Sequence, residues 1–233
     1  MRRVVRGFWG PREEPVEAVA GRWNLMLDRL AGLLPVAGAG GTWSRVRESG
    51  AAAETGTDEA SLLAALKVQQ QEARYASDGA GLYLVIGDEQ GWEIEARGLA
   101  GGASEFLLNS IVIGVRSPDG ADVPDAELLT AVAEAWGPDF GDVTDDDVLD
   151  ALEDDAGFGV GEPGVGWVGY LSPGRAALLP DGLTAVRKEL TGGGVLLDIA
   201  PQGDARAVVR AYVQLRDAGA LEPLPRPMDR PAL

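Results

Sequence analysis

Residues 82–100 read LYLVIGDEQGWEIEARGLA, and this stretch decides the fold class. In its second half the apolar residues Trp92, Ile94 and Ala96 alternate with charged ones. A period of two is typical of a β-strand that buries one face. Because only the four residues DEQG separate this strand from the apolar run LYLVIG, the stretch predicts a β-hairpin and hence antiparallel pairing.

Helical periodicity, with apolar residues three and four apart, occurs in four segments around this hairpin. The predicted helices cover about residues 13–34, a segment from 57 or 58 to about Ala73, residues 124–136, and a segment from 203 or 204 to 219. Pro35 and Gly137-Pro138 end the first and the third of these helices.

Short apolar runs predict further strands, and residues 48–57 are predicted to be a flexible surface loop. The strands fall at the N-terminus and within 43–47, 109–116, 164–172 and 193–201. Since helices and strands interleave irregularly, the sequence predicts a single α+β domain over 1–221, with a largely antiparallel mixed sheet and about four helices packed on it. The Pro-rich tail 222–233 is expected to be extended or mobile.

Six tryptophans are spread over the chain, and most of them occupy positions that periodicity assigns to the core. Core packing is therefore the predicted role of at least four. Trp9, which lies at a strand-to-helix corner beside Gly and Pro, is the one that we expect to be partly exposed.

The composition excludes several classes of function. The net charge is −17, so nucleic acid and anionic membrane surfaces repel the protein and neither is an expected partner. The chain has no histidine and no cysteine, which removes Ser-His-Asp and thiol catalysis and histidine or thiolate metal sites. Without a run of signal-peptide or membrane-spanning length, the expected location is the cytoplasm.

Negative charge is concentrated in 142–155, DVTDDDVLDALEDD. Between Arg116 and Arg175 the chain has fifteen Asp and Glu residues and no basic residue. A short helix here would turn Val148, Leu149 and Leu152 inward and leave the carboxylates outside. We expect these eight to bind a basic partner, although a solvated acidic face is the alternative: Asp142, Asp145, Asp146, Asp147, Asp150, Glu153, Asp154 and Asp155.

Two motifs invite a cofactor or metal interpretation, and neither fits. Residues 159–164, GVGEPG, match the dinucleotide pattern G-x-G-x-x-G, but they precede a strand and contain a proline, so a loop is predicted. The consecutive Asp145, Asp146 and Asp147 diverge and lack the central glycine of an EF-hand loop. We predict no cofactor and no metal. A carboxylate pair for hydrolysis stays open, because nothing in the sequence selects one.

Several motifs, in order along the chain, resemble the immunity protein 52 family of bacterial polymorphic toxin systems. The first is GFWGPREEP (7–15), followed by an amphipathic helix. The others are NSIVIGV (109–115), LLTAVAEAWGPDF (128–140), GVGWVGYLS (164–172) and GGGVLLDIA with the closing helix to GALEPL. The resemblance covers roughly residues 3 to 224, but it does not include 48–81 or the acidic stretch.

The resemblance implies a non-enzymatic immunity protein that binds and neutralises a cognate toxin. The family is commonly associated with toxins of the restriction-endonuclease fold, so the implied partner is a basic, metal-dependent nuclease domain at the toxin's C-terminus. The acidic stretch would then act as a phosphate substitute at an electropositive cleft. The alternatives are a carboxylate-dependent hydrolase, which needs convergent acids in a pocket, and an acidic accessory or scaffold protein with another basic partner.

Overall fold

The computed structural model of the protein describes residues 2–38, 41–47, 49–72, 76–159 and 161–233. The strands are β1 (Arg2–Trp9), β2 (Ser44–Val46), β3 (Ala52–Glu54), β4 (Ala80–Gly87), β5 (Glu93–Ala100), β6 (Asn109–Arg116), β7 (Phe140–Thr144), β8 (Val168–Leu171), β9 (Val186–Glu189) and β10 (Val195–Asp198). They form one ten-stranded sheet in the order β3-β2-β4-β5-β6-β1-β7-β8-β10-β9, and every pairing is antiparallel.

Six α-helices accompany the sheet within the described residues. They are α1 (Val16–Leu33), α2 (Glu59–Glu72), α3 (Asp125–Trp136), α4 (Asp146–Ala156), α5 (Pro173–Ala176) and α6 (Ala205–Asp217), with short 3₁₀ helices at Pro35–Ala37 and Ala76–Asp78. The predicted α+β class with an antiparallel sheet is confirmed, with six helices where about four were expected. In the described part of the chain, no helix combines the length and the apolar character needed to cross a membrane.

The hairpin predicted from 82–100 is confirmed, since β4 and β5 pair along their whole length. In the loop that joins the two strands of this hairpin, Asp88 Oδ1 accepts hydrogen bonds from the backbone N–H groups of Gln90 and Trp92, at 2.9 and 3.0 Å. The alternation is also as predicted, because Trp92 and Ile94 are buried while Glu95 is only partly covered.

Other local predictions had mixed outcomes. The four predicted helices correspond to α1, α2, α3 and α6, although Ala73, assigned to the apolar face of the second, lies outside the described residues. The loop predicted at 48–57 was wrong in part, because β3 lies within it and pairs with β2. Two strands, β7 and β9, and the short α5 were not predicted.

The helices α1, α2 and α3 pack together around the core on one face of the sheet. The indole of Trp136, at the end of α3, stacks on Trp9 with ring centroids 5.7 Å apart and meets Trp23 edge-on at 5.6 Å. All six tryptophans are buried, so their predicted core role is confirmed. Trp9, expected to be partly exposed, is fully buried, because Arg12 also lies over its ring at 4.9 Å.

The two faces of the sheet are distinguished by alternate residues of β1 and β7. A side chain at Gly7 would meet Val132 of α3, so Gly7 lies on the face that α3 covers. Phe8 therefore points to the opposite face, where it stacks on Phe140 at 5.3 Å. Leu149 of α4 lines the same hollow as these two rings, and α4 in turn packs against α6.

The tail 222–233 contains no regular secondary structure and runs back across the molecule. The N–H of Met228 donates to the carbonyl of Glu105 at 2.8 Å, and the carbonyl of Pro231 accepts from the N–H of Gly10 at 2.8 Å. The side chains of Leu224 and Met228 are buried. The tail is thus fastened to two separate loops, while the division of the chain at residue 221 stays a prediction.

Candidate partner-binding surface

Helix α4 positions most of the acidic stretch. Asp145 is its N-cap, and its Oδ1 accepts a hydrogen bond from the N–H of Val148 at 3.0 Å. Val148 and Leu152 are buried and hold the helix to the molecule. Gly157, with a φ of 68°, ends the helix in the left-handed conformation that glycine adopts readily. The apolar spacing therefore fixes which side of α4 faces solvent.

The structure brings most of the predicted binding residues together on that side. The six exposed carboxylates are Asp146, Asp147, Asp150, Glu153, Asp154 and Asp155. Asp145 is half-buried and is used as the N-cap. We call the six exposed carboxylates the α4 acidic surface.

Asp142 lies elsewhere, in β7, and is only 2% exposed. Its carboxylate accepts two hydrogen bonds from Arg6, at 2.8 Å from Nε and 2.6 Å from Nη2. Burial lowers the pKa of Arg6, but the charge of Asp142 and its hydrogen bonds outweigh burial, so this pKa is raised from its ordinary value. The pair is an internal ion pair outside the α4 acidic surface.

The α4 acidic surface is little neutralised by the protein itself. Arg2 approaches Asp146 at 3.6 Å, but both side chains are largely exposed, and such a pair contributes little. Among the described residues, no ion pair involves the other five carboxylates, namely Asp147, Asp150, Glu153, Asp154 and Asp155. Their charge is therefore available to a partner.

Two charges in the last turn of α4 oppose helix stability, whereas Asp146 and Asp147 in its first turn favour it. Asp154 and Asp155 lie at the negative end of the helix dipole, where each carboxylate costs about 0.3–1 kcal/mol. The helix has no basic residue in this turn. Instead, Arg216 of α6 donates a hydrogen bond from Nη1 to the carbonyl of Ala156 at 2.7 Å.

An apolar hollow of about 480 Å³ adjoins α4. Its apolar walls are Phe8 and Phe140 from the sheet, Leu149 from α4, Leu108 and Phe158; Arg6, Glu153 and Glu162 add polar groups. Sequence reasoning missed this site. The only local signal was a pair of aromatic residues beside glycines, in GFWG and PDFG, and it does not reveal that the two strands are neighbours.

Two exposed apolar residues precede Leu108 in the chain. Phe106 is 64% exposed and Leu107 is 45% exposed. Their loop is held in place, because Ser104 Oγ accepts a hydrogen bond from the N–H of Leu107 at 3.2 Å and Glu105 is bonded to the tail. These two exposed residues therefore adjoin the lining residue Leu108 in sequence.

The described residues contain no group of three or more acids that could hold a metal ion. Residues 159–164 form a loop before β8 and do not open a helix, as predicted, with Val160 outside the described residues. In that loop the N–H of Gly159 donates to Glu162 Oε2 at 3.0 Å. What the site offers chemically is thus exposed negative charge beside an apolar hollow.

These features place the chain in the class of α+β proteins, with an acidic helix and an apolar hollow side by side on its surface. The chain belongs to the immunity protein 52 family, which matches residues 4–197. That match includes α4 and the hollow's lining, and the resemblance found from the sequence motifs is confirmed. No curated protein matches the chain.

A solved structure has a similar fold. It is described as the Pseudomonas aeruginosa T6SS protein PA0821, and it aligns with a TM-score of 0.50 and 15% sequence identity. The alignment covers 94% of this chain and 73% of the other chain. At this identity the similarity concerns the fold alone.

Proposed function

We propose that this protein neutralises a cognate toxin by binding it, without catalysis, through the α4 acidic surface. The toxin we propose is a basic nuclease domain at the C-terminus of a polymorphic toxin, met in the cytoplasm of the producing cell. Membership of the immunity protein 52 family supports the immunity role. The main support for an interface at α4 is its set of exposed carboxylates, five of which have no ion-pair partner among the described residues.

The physical reason for the pairing is electrostatic. A nuclease cleft must attract phosphates, so a carboxylate surface on a rigid helix is attracted to the same place. Complementary charge raises association rates from about 10⁵–10⁶ towards about 10⁸–10⁹ M⁻¹s⁻¹ at low salt. Speed is useful here, because free toxin damages the cell that produces it.

Charge of this kind gives fast encounter more than tight binding. Affinity and selectivity require buried aromatic or aliphatic contacts at the centre of an interface. The apolar hollow beside α4 is placed to provide them, since Leu149 and Glu153 belong both to α4 and to its lining. The two features therefore belong to one proposed interface.

The immunity role is tested by co-expression with the C-terminal domain of a polymorphic toxin, sought first among the neighbouring genes. We expect the toxin domain to kill cells alone and to be harmless when this protein is present. Continued killing despite soluble expression of both proteins would contradict the role. A purified sample that turns over a small molecule would contradict the non-catalytic part and favour the hydrolase alternative.

The interface is tested with two variants that change the net charge equally. The α4 charge variant carries Asp147→Asn, Asp150→Asn, Asp154→Asn and Asp155→Asn. The remote charge variant carries Glu54→Gln, Glu89→Gln, Asp181→Asn and Glu189→Gln, all at exposed positions outside α4. We expect only the α4 charge variant to bind the toxin domain more slowly. Equal association rates for the two would remove α4 from the interface.

A further inference from the structure

The hollow beside α4 is a place where the fold leaves apolar side chains partly uncovered. The molecule buries all six of its tryptophans, yet Phe8, Leu108, Leu149 and Phe158 stay half-buried around this space. Uncovered aromatic surface of this kind marks a place for a ligand or partner group.

The walls of the hollow are held in shape. Phe8 and Phe140 stack across neighbouring strands, and Phe158 meets Tyr212 of α6 edge-on at 5.8 Å. A preformed apolar space loses little entropy on binding, so an inserted group keeps most of the free energy gained by leaving water. At about 480 Å³ the hollow is within the usual size range of binding pockets.

The charges around the hollow determine which charge is favoured next to an apolar group that binds in it. Arg6 is its one cation among the described lining residues, and this charge is compensated by the hydrogen-bonded Asp142. Glu153 and Glu162 are exposed at the lining, and Glu153 has no ion-pair partner in the described part of the chain. The local field is therefore negative, and a neighbouring positive charge is favoured over a negative one.

We propose that the hollow receives an aromatic or large aliphatic side chain of the toxin whose neighbouring Lys or Arg contacts Glu153 or Glu162. This inference rests on the proposed function for the identity of the partner. It assigns separate roles to the two halves of the interface. The α4 acidic surface sets the association rate, and the hollow sets how long the complex lasts.

The first experiment requires no toxin. Tryptophan amide and N-acetyltryptophan have the same indole but opposite charge at about pH 6, below the ordinary α-amino pKa of about 7.7. Each is titrated into the labelled protein while backbone amide NMR shifts are followed. We expect tryptophan amide to shift the amides of Gly159, Gly161 and Gly164 and to bind severalfold more tightly than N-acetyltryptophan. Shifts elsewhere only, or equal affinity for both, would overturn the proposal.

The second experiment uses the purified toxin domain made inactive by an active-site substitution. Leu149→Gln removes one apolar wall at a half-buried helical position, and Leu63→Gln makes the same change at a half-buried position of α2. We expect Leu149→Gln to raise the dissociation rate about tenfold or more, with little change in the association rate, as for a hot-spot residue. Leu63→Gln should bind as the wild type does.

The outcomes separate this inference from the proposed function. If Leu149→Gln binds the toxin domain normally while the α4 charge variant associates more slowly, the proposed role of the hollow is contradicted. The proposed role of the α4 acidic surface is then still supported. No binding of the wild type to the toxin domain would contradict the proposed function, while the tryptophan amide titration would still test the hollow. Unchanged unfolding midpoints of the variants are the check that they fold.

Discussion

Helices α3 and α4 lie in the same stretch without a basic residue and both have acids in the first turn, but they differ at their C-terminal ends. In α3 the acids Asp125 and Glu127 lie in the first turn, where the helix dipole favours them. Its C-terminal carbonyls accept hydrogen bonds from Arg12 and Arg22, which reach over from the start of the chain and from α1. In α4, Asp154 and Asp155 lie at the unfavourable end.

The same contrast holds for the residues around α3. Asp139, just beyond α3, accepts hydrogen bonds from Arg175 and Ser172, and all three are buried. Asp142 is paired with Arg6. Asp139 and Asp142 thus have partners that stabilise the fold, whereas Asp154 and Asp155 of α4 have no ion-pair partner among the described residues and lie where they oppose helix stability. This contrast is consistent with the binding role that we propose for the α4 acidic surface.

The largest effect on stability is expected from a substitution that breaks an ion pair near α3. Arg175→Met leaves the carboxylate of Asp139 buried without its cation, which costs about 3–5 kcal/mol of unfolding free energy. Arg187→Met, at an exposed position of β9, should change stability by less than about 0.5 kcal/mol. Urea denaturation measures both, and similar midpoints for the two variants would contradict the assignment.

The next effect compares two aspartates of the acidic stretch. Asp142→Asn weakens two charge-assisted hydrogen bonds from Arg6 and is expected to cost about 1.5–3 kcal/mol. Asp150→Asn, exposed on α4, should cost less than about 0.5 kcal/mol. In toxin binding the order reverses, so that only Asp150→Asn lowers the association rate at low salt. If both variants lost the same stability, the distinction between paired and unpaired acids would be wrong.

A smaller effect on stability is expected at the C-terminal end of α4. Asp155→Asn removes a charge that opposes the helix dipole, so it should stabilise the protein by about 0.3–1 kcal/mol. The same variant should bind the toxin domain more slowly, which is the trade-off expected of a residue kept for binding. Thermal unfolding and association kinetics measure the two changes. A loss of stability would show that Asp155 has a structural role.

The smallest effect concerns pH and Asp125. Burial raises the pKa of Asp125, although a hydrogen bond from Trp167 and the charge of Arg3 act against it. The folded state therefore keeps this proton to higher pH than the unfolded state does. The resulting stability is fully present below the ordinary pKa of 3.8 and is lost as the pH rises through the folded value.

Asp125→Asn cannot titrate and serves as the reference. The unfolding free energy of the wild type minus that of the variant should fall as the pH rises from about 3.5 towards neutrality. Urea denaturation at a series of pH values measures this difference. A difference that stays flat or increases with pH would contradict the raised pKa.

Much of the fold could be predicted because its signals are local. The alternation in 92–97 and the helical spacing of Val148 and Leu152 depend only on neighbouring residues. By contrast, β7 is buried on both faces, so FGDVT shows no alternation that would mark it as a strand. Trp9 was misjudged because its burial depends on Trp136, far along the chain.

The candidate site was predicted in part for the same reason. The charge of α4 is visible in the sequence, and its exposed carboxylates follow from the helical period. The partner of Asp142 is Arg6, 136 residues away, and only the register of β1 against β7 brings them together. The same register places Phe8 beside Phe140, so the hollow could not be predicted from local sequence.

The most direct test of the α4 acidic surface is the salt dependence of toxin association, compared between the α4 charge variant and the remote charge variant. At about 0.01 M salt we predict that the α4 charge variant associates at least about tenfold more slowly than the remote variant. The gap should close towards about 1 M, where charges more than about 3 Å apart are screened. Equal rates for the two variants at low salt would contradict the proposed role of the α4 acidic surface.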